Sequence, residues 1–149
     1  MNENQNFIKE LKEKTGEEVV RMELSELRAD DSTYRILNLK KSKGRTSIWG
    51  LTVVTESSVY FYAPKSTTTY FSIPVNTGEE QKDQLVKLTS LNKIKFAVLK
   101  TSFFTNIFNP EVSRTISATF TDSSDAYHTF NIVLNNKAQT IIELFNQRI

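Results

Sequence analysis

Alternating apolar and polar residues mark the last third of the chain. Arg114–Thr121 and Tyr127–Leu134 each repeat with the period of two that is typical of half-buried strands. The polar run Thr121–Asp125 between them favours a turn, so this region predicts a hairpin. From about Lys137 the pattern becomes that of a helix, because apolar residues recur on one face at Ala138, Ile141, Ile142 and Phe145. The predicted cap of this helix is Asn135 or Asn136.

The first two-thirds of the chain predicts one helix and several more strands. Asn4–Lys14 carries apolar residues on one narrow side and is followed by Gly16, a common helix stop. The polar residues 76–84 predict an exposed loop. Alternation, or β-branched and aromatic content, predicts strands at Val19–Leu27, Tyr34–Leu39, Ser47–Thr55, Ser58–Ala63, Thr68–Ile73 and Lys93–Val98.

Together these elements predict an α+β domain that is mainly β. We expect a strongly bent antiparallel sheet, or partly open barrel, of about seven or eight strands capped by the C-terminal helix. Residues 1–17 form the predicted N-terminal helical extension, and residues 18–149 form a single domain. A chain of 149 residues can bury roughly two-thirds of the surface that its unfolded form exposes, so its core needs no disulfide.

The order of these elements resembles that of the pleckstrin-homology-like superfamily, including its GRAM and bacterial members. Trp49–Thr55 and Val59–Tyr62 are similar to the strand–turn–strand of those families, an aliphatic run followed by an aromatic strand. Leu91–Leu99 and Arg114–Ile149 follow the family order of middle strand, closing hairpin and C-terminal helix. The resemblance implies a domain that binds phosphoinositides, peptides or other proteins, and in lipid-binding members the basic residues lie in the first hairpin loop.

Charge and composition narrow the classes of partner. The net charge of +2 is too small to indicate nucleic-acid binding, although the isoelectric point is 8.8. The chain has no cysteine, and so no disulfide framework that would argue for secretion. Its polar first six residues lack the basic and apolar regions of a signal peptide, and no apolar stretch has the length of a membrane span. We therefore expect a cytoplasmic protein.

A basic tract provides one candidate binding site. Gly44 favours a hairpin loop here, and an anionic membrane would gain about 1 kcal/mol for each cation held close to it. Four cations would give about 4 kcal/mol, which is only millimolar affinity, so a second contact is needed. The alternative is a solvated hairpin tip that keeps a β protein soluble. The residues of this anionic-ligand site are Lys40, Lys41, Lys43 and Arg45.

An apolar segment provides the second candidate. Residues 103–110 lie between two predicted strands, where a loop is normally polar, and end in the turn-forming pair Asn109-Pro110. An exposed patch of this kind suits a protein partner or a second copy of the chain, or insertion into a membrane interface. The alternative is burial, either as a plug of the barrel mouth or against the N-terminal helix. The candidate partner-binding residues are Phe103, Phe104, Ile107 and Phe108.

The sequence offers little for catalysis. His128 is the only histidine, and its strand position favours a packed imidazole. A triad with Asp125 lacks the sequence around a nucleophilic serine, and no phosphate-binding glycine motif is present. Asp122 and Asp125 are typical turn formers, and Glu17-Glu18 is a pair of the kind that is commonly solvated. We predict a non-enzymatic binding module without a cofactor or metal, with a protein partner or itself as ligand and anionic lipid as the alternative.

Overall fold

Seven strands form one antiparallel sheet in the part of the chain that the structure describes. The structure is a computed structural model, and it describes residues 3–41, 44–64, 69–70, 73–74, 83–99 and 108–149. The sheet has the order β6-β3-β2-β1-β9-β8-β7, and β4 and β5 pair separately. The strands are β1 Val19–Arg28, β2 Ser47–Thr55, β3 Val59–Ala63, β4 Thr69–Tyr70, β5 Ile73–Pro74, β6 Gln84–Lys87, β7 Lys95–Val98, β8 Thr115–Thr121 and β9 Tyr127–Leu134.

Three α-helices surround the sheet in the described ranges. They are α1 Glu3–Thr15, α2 Asp31–Leu37 and α3 Ile142–Gln147. Short 3-10 turns at Leu88–Ser90, Val112–Arg114 and Ala138–Thr140 join other elements. The predicted N-terminal helix is confirmed, and Gly16 ends it with a φ of 72° while its N–H bonds to the carbonyl of Lys12.

The central strand β1 joins two halves of the sheet. It pairs with β2 along nearly its whole length and with β9 near its C-terminal end, so that Leu27 lies between Ile48 and Ile132. The predicted closing hairpin is confirmed, with β8 and β9 in register from Thr115–Val133 to Thr121–Tyr127. Among the described residues β6 and β7 do not pair with each other, so the sheet is not closed into a barrel.

Two clusters of buried apolar side chains lie on opposite faces of the sheet. Neighbouring residues of a strand point to opposite faces, and Phe61 belongs to one cluster while Tyr60 and Tyr62 belong to the other. The larger cluster contains buried residues of six strands, with the partly buried Val86 of β6 packed against it. Helix α3 covers this cluster, and the rings of Phe145 and Phe96 lie 5.1 Å apart. The smaller cluster lies under α1 and consists of Phe7, Leu11, Leu51, Val53, Tyr60 and Tyr62.

The start of the C-terminal helix differs from the prediction. A 3-10 turn precedes α3, and the first residue before that turn, Lys137, makes no capping side-chain bond. Asn136, one of the two predicted caps, does not cap the helix. Its side-chain amide donates to Oε2 of the buried Glu23 at 3.1 Å. The predicted apolar face is confirmed for Ala138, Ile141 and Phe145, which are buried.

Residues Tyr34–Leu39, predicted as a strand, instead begin within helix α2. Asp30 accepts a hydrogen bond from the N–H of Thr33 at 2.8 Å, which caps the helix, and Asn38 ends it with a left-handed φ of 59°. Tyr34 and Leu37 are both buried, and their separation of three residues fits one helix face. An apolar pattern of six residues fits the period of a strand and that of a helix, so the cap by Asp30 was the feature that distinguished them.

The region after β3 contains two further differences. The single strand predicted at Thr68–Ile73 is wrong, because β4 and β5 form a very short antiparallel pair in which Tyr70 faces Ile73. Strand β6 was not predicted, because its apolar part is only the pair Leu85-Val86 and the residues on both sides of this pair are polar. It extends the sheet beyond β3, with Phe61 opposite Val86.

Candidate functional site

Phe108 is the described member of the predicted partner-binding segment, and it is 82% exposed. Burial of this residue as a plug is therefore wrong. Phe103, Phe104 and Ile107 lie outside the described residues, so their predicted role stays a prediction.

An ion cluster anchors the chain just after Phe108. Arg28 donates from Nη1 and Nη2 to the two carboxylate oxygens of Glu111, at 3.0 and 3.2 Å, and from Nε to Glu26 at 2.9 Å. Bidentate arginine–carboxylate geometry fixes both groups. The hydrogen bond from Arg28 also lowers the pKa of Glu111, and the bonds to Glu111 and Glu26 raise the pKa of Arg28. Residue 111 is therefore held on the face of β1 that Arg28 occupies.

Trp49 lies on this same face, beside the ion cluster. It is opposite Glu26 in the β1–β2 register, and Ser47, which donates to Glu26, is opposite Arg28. Its strand position matches that of Leu51 and Val53, whose side chains α1 covers, yet Trp49 is 38% exposed. Trp49 was not predicted as a site residue and entered only as part of the family pattern. Its parity with Leu51 and Val53 in β2 was the feature that could have placed its side chain on the outer face of the sheet.

We call Trp49, Phe108 and the Glu26–Arg28–Glu111 cluster the Trp49–Phe108 surface. Glu111 is the third residue after Phe108, so their Cα atoms lie within about 11 Å of each other. Trp49 thus lies opposite Glu26 on the outer face of β2, and the exposed Phe108 lies three positions before Glu111 in the chain. Such a combination of aromatic and arginine side chains is typical of the centre of protein interfaces.

The basic tract is less free than the sequence suggested. Lys41 Nζ lies 2.7 Å from Asp31 Oδ1 and 5.3 Å from the centre of the Tyr34 ring. The hydrogen bond from Lys41 lowers the pKa of Asp31. The backbone N–H of Lys40 donates to Gln84 Oε1 at 2.7 Å, and its carbonyl accepts from Gln84 Nε2 at 3.2 Å. The tract therefore begins next to α2 and β6.

The remaining members of the basic tract have different positions. The side chains of Lys40 and Arg45 are exposed, whereas Lys43 lies outside the described residues. The tract connects α2 to β2 and so is not the simple hairpin loop that was predicted. The structure leaves Lys40 and Arg45 accessible to an anion and gives Lys41 a partner within the chain.

Asp122, and not Asp125, is the carboxylate that contacts His128. Asp122 Oδ2 lies 2.7 Å from His128 Nε2, and the imidazole stacks on Phe120 with ring centres 5.5 Å apart. Asp122 Oδ1 accepts from the N–H groups of Ser124 and Ala126, at 2.8 and 3.1 Å. The bond with His128, followed by those from Ser124 and Ala126, holds the pKa of Asp122 well below its usual range. Asp122 thus organises the β8–β9 turn.

An open groove of about 470 Å³ borders this turn. Ile36, Leu91 and Phe120 give it an apolar floor, and Asp122 and Asp125 stand at its edge. The carboxylate of Asp122 is used by the hydrogen bonds of the turn and by His128, so we assign no ligand to this groove.

Glu17 was predicted to be solvated but is the centre of a hydrogen-bond cluster. Its carboxylate accepts from four hydroxyl groups, those of Thr55, Ser57, Ser58 and Tyr60. Partial burial raises the pKa of Glu17, but the bonds from Ser57, Tyr60, Thr55 and Ser58 outweigh it and bring the pKa to about 2. The cluster ties the end of α1 to the β2–β3 hairpin. No periodic pattern could indicate this cluster, because the donors lie between 38 and 43 residues away along the chain.

Two searches of the described residues gave negative results. No helix there is long and apolar enough to cross a membrane. The same residues contain no group of three or more histidine, cysteine, aspartate and glutamate side chains placed to hold a metal ion.

The chain matches no protein-family model, no curated protein and no solved structure.

Proposed function

We propose that this chain is a non-enzymatic, pleckstrin-homology-like module that binds a protein partner through the Trp49–Phe108 surface. The observation that carries the proposal is the 82% exposure of Phe108 beside a fixed ion cluster. Aromatic and arginine side chains are enriched in protein interfaces, and this surface exposes Trp49 and Phe108 together with Arg28, which is bound to Glu111.

The strand order supports the pleckstrin-homology-like part of the proposal. Four strands, β6-β3-β2-β1, continue into three more, β9-β8-β7, and α3 follows the last hairpin and packs near β7. The middle strand β7, the closing hairpin β8–β9 and the C-terminal helix follow one another in the order that the resemblance implies. A fold of this kind hosts many ligands, so the choice of a protein partner depends on the surface residues alone.

The alternative is binding to anionic membrane lipids through Lys40, Lys41, Lys43 and Arg45. Lys41 is paired with Asp31 at 2.7 Å, so part of its charge is already neutralised. Lys40 and Arg45 together would supply about 2 kcal/mol, which is weaker than millimolar affinity. The protein-partner proposal is therefore the better supported of the two.

The test compares Phe108 with Tyr127, a second exposed aromatic residue. Tyr127 is 76% exposed and lies six residues along β9 from Val133, the neighbour of Glu26, so it is about 20 Å from the proposed surface. Candidate partners are captured with the wild-type chain, identified, purified and titrated against the fluorescence of Trp49, the single tryptophan. We expect Phe108→Ser to weaken binding about tenfold or more, as for a hot-spot residue, and Tyr127→Ser to leave it unchanged.

Two results would contradict the proposal. A purified partner that binds the Phe108→Ser chain as tightly as the wild type does not use this surface. Binding that is equally reduced by Phe108→Ser and Tyr127→Ser would indicate a nonspecific aromatic contact. Both variants must retain the wild-type unfolding midpoint, which is expected because both side chains are exposed.

A further inference from the structure

Helix α1 covers an aromatic sheet face with very few of its own side chains. Phe7 and Leu11, four residues apart, are buried against Tyr62 and its neighbours, and the rings of Phe7 and Tyr62 lie 5.2 Å apart. Ile8, the next apolar residue of the helix, is 37% exposed. The covered face supplies four fully or largely buried residues from two strands: Leu51, Val53, Tyr60 and Tyr62.

A polar contact near the C-terminal end of α1 fixes how the helix lies on the sheet. Lys14 Nζ lies 3.5 Å from Asp83 Oδ2 and 5.3 Å from the centre of the Tyr62 ring. The hydroxyl of Tyr62 donates to the same carboxylate oxygen at 2.5 Å. Asp83 and Tyr62 thus form a site for Lys14, seven positions after Phe7. The residues of α1 that contact the sheet are therefore an aromatic residue at position i, a leucine at i+4 and a lysine at i+7.

The covered face is part of the sheet irrespective of α1. Leu51 and Tyr62 are opposite each other in the β2–β3 pairing, and the other face of the same strands packs in the larger core through Val54 and Phe61. Helix α1 continues into β1 through the three residues Gly16 to Glu18, and the bonds of Glu17 to the β2–β3 hairpin hold this connection and not residues 3–15 of the helix. A 13-residue helix is marginal in water by itself, so it is ordered by docking.

We propose that the sheet face under α1 is a helix-binding groove, and that a helix of a partner protein with this aromatic–leucine–lysine pattern takes the place of α1. Helices that present residues at i and i+4 to an apolar groove are a recurrent mode of recognition. The tethered α1 then acts as a built-in competitor, with an effective concentration of the order of millimolar. The inference goes beyond the proposed function, because it uses neither Trp49 nor Phe108.

The test supplies α1 as a separate molecule. A fluorescein-labelled peptide of residues 3–15 is titrated by anisotropy against the full-length chain carrying Phe7→Ser with Leu11→Ser. These substitutions remove the competitor and leave the groove residues intact. We expect saturable binding that is about tenfold or more tighter than to the wild-type chain. A Lys14→Glu peptide is expected to bind about fivefold more weakly, and a Phe7→Ser peptide not to bind.

Several results would overturn the proposal. The first is no saturable binding by a double variant that still unfolds cooperatively in urea, and the second is equal binding of the wild-type and Phe7→Ser peptides. If the double variant does not fold, amide hydrogen exchange of the wild-type chain decides. If the amides of α1 exchange faster than those of β2 and β3, the helix leaves the sheet without global unfolding and the proposal is supported. If the amides of α1 exchange only by global unfolding, the proposal is overturned. A wild-type dimer that is lost in the double variant assigns the groove to α1 of a second copy and overturns the choice of a different partner.

Discussion

The hydroxyl of Tyr60 donates a hydrogen bond to the carboxylate of Glu17 and so links strand β3 to the turn after helix α1. Three more hydroxyls, from Thr55, Ser57 and Ser58, reach the same carboxylate. Burial raises the pKa of Tyr60, and the hydrogen bond that its hydroxyl donates to Glu17 adds to this effect and brings the pKa to about 12. One charged group therefore satisfies four donors of a hairpin and holds α1 at its C-terminal end.

The first prediction concerns acid and Glu17. Its folded-state pKa of about 2 lies below the ordinary value of 4.5. The stabilisation is therefore complete above pH 4.5 and is lost as the pH falls toward 2, because protonation removes the charged acceptor. We expect Glu17→Gln to lower the free energy of unfolding by about 1–2 kcal/mol at pH 7, and by progressively less as the pH falls. Urea denaturation at several pH values measures this difference.

Other carboxylates also titrate in this range, so the wild-type curve alone is not decisive. Glu18→Gln is the matched control, because the Glu18 side chain is exposed and forms a surface ion pair with the exposed Lys12. Such pairs contribute little. A Glu17→Gln effect that stays constant from pH 7 to pH 2.5 would contradict the assigned pKa shift.

The second prediction concerns Gly50 in β2. A Cβ atom at this position would lie 2.3 Å from the backbone oxygen of Tyr62 and 3.0 Å from the ring of Phe61. The close atom belongs to the paired strand and cannot rotate away. We therefore expect Gly50→Ala to lower the free energy of unfolding by about 2 kcal/mol or more. Urea denaturation checks it, with Thr129→Ala at an exposed strand position as the control, and an unchanged midpoint would show that β3 shifts freely.

The third prediction concerns membranes. At low salt we expect weak sedimentation with anionic vesicles and none with neutral vesicles, since Lys40 and Arg45 are exposed. Raising the salt to about 0.15 M should abolish it, because these charges are at the surface. Lys40→Glu with Arg45→Glu should remove the low-salt binding, and Lys41→Ala should reduce it less, since Lys41 is paired with Asp31. Binding that persists at the higher salt would favour the lipid alternative.

Local patterns predicted the regular elements well. The strands β1, β8 and β9 and the helix α1 were confirmed, because each has a period that only one type of structure fits. The strands β2 and β3 were confirmed from their β-branched and aromatic content. Helix α2 was missed, since a short apolar pattern fits two periods and the cap by Asp30 decided between them. Strand β6 was missed because its apolar part is only two residues long.

The candidate site depends on contacts that no local pattern encodes. Glu111 meets Arg28 across 83 residues, and Glu17 meets Tyr60 across 43. Only the register of the sheet brings these groups together. Exposure is also a tertiary property: the sequence could name Phe108 as a candidate but left open whether it was buried, and the structure decided for exposure.

The fourth prediction separates the two carboxylates of the β8–β9 turn. Asp122 accepts three hydrogen bonds from residues 124 and 126 and contacts His128, whereas Asp125 is exposed at the edge of the turn. Asp122→Ala removes every acceptor, so we expect a lower thermal midpoint and faster amide exchange at Ser124 and Ala126. Asp122→Asn keeps one acceptor oxygen for the turn and loses the charge that faces His128, so its effect should be smaller.

Asp125→Asn is the matched control for these variants. Asp125 has a φ of 64°, a left-handed conformation that asparagine adopts readily, so this variant should keep the wild-type midpoint. The contribution of Asp122 should also depend on pH. Its pKa is lowered in the fold, so the stabilisation is present above its ordinary pKa of 3.8 and is lost as the pH falls below that value. Equal midpoints for Asp122→Ala and Asp125→Asn at pH 7 would show that backbone pairing alone holds the turn.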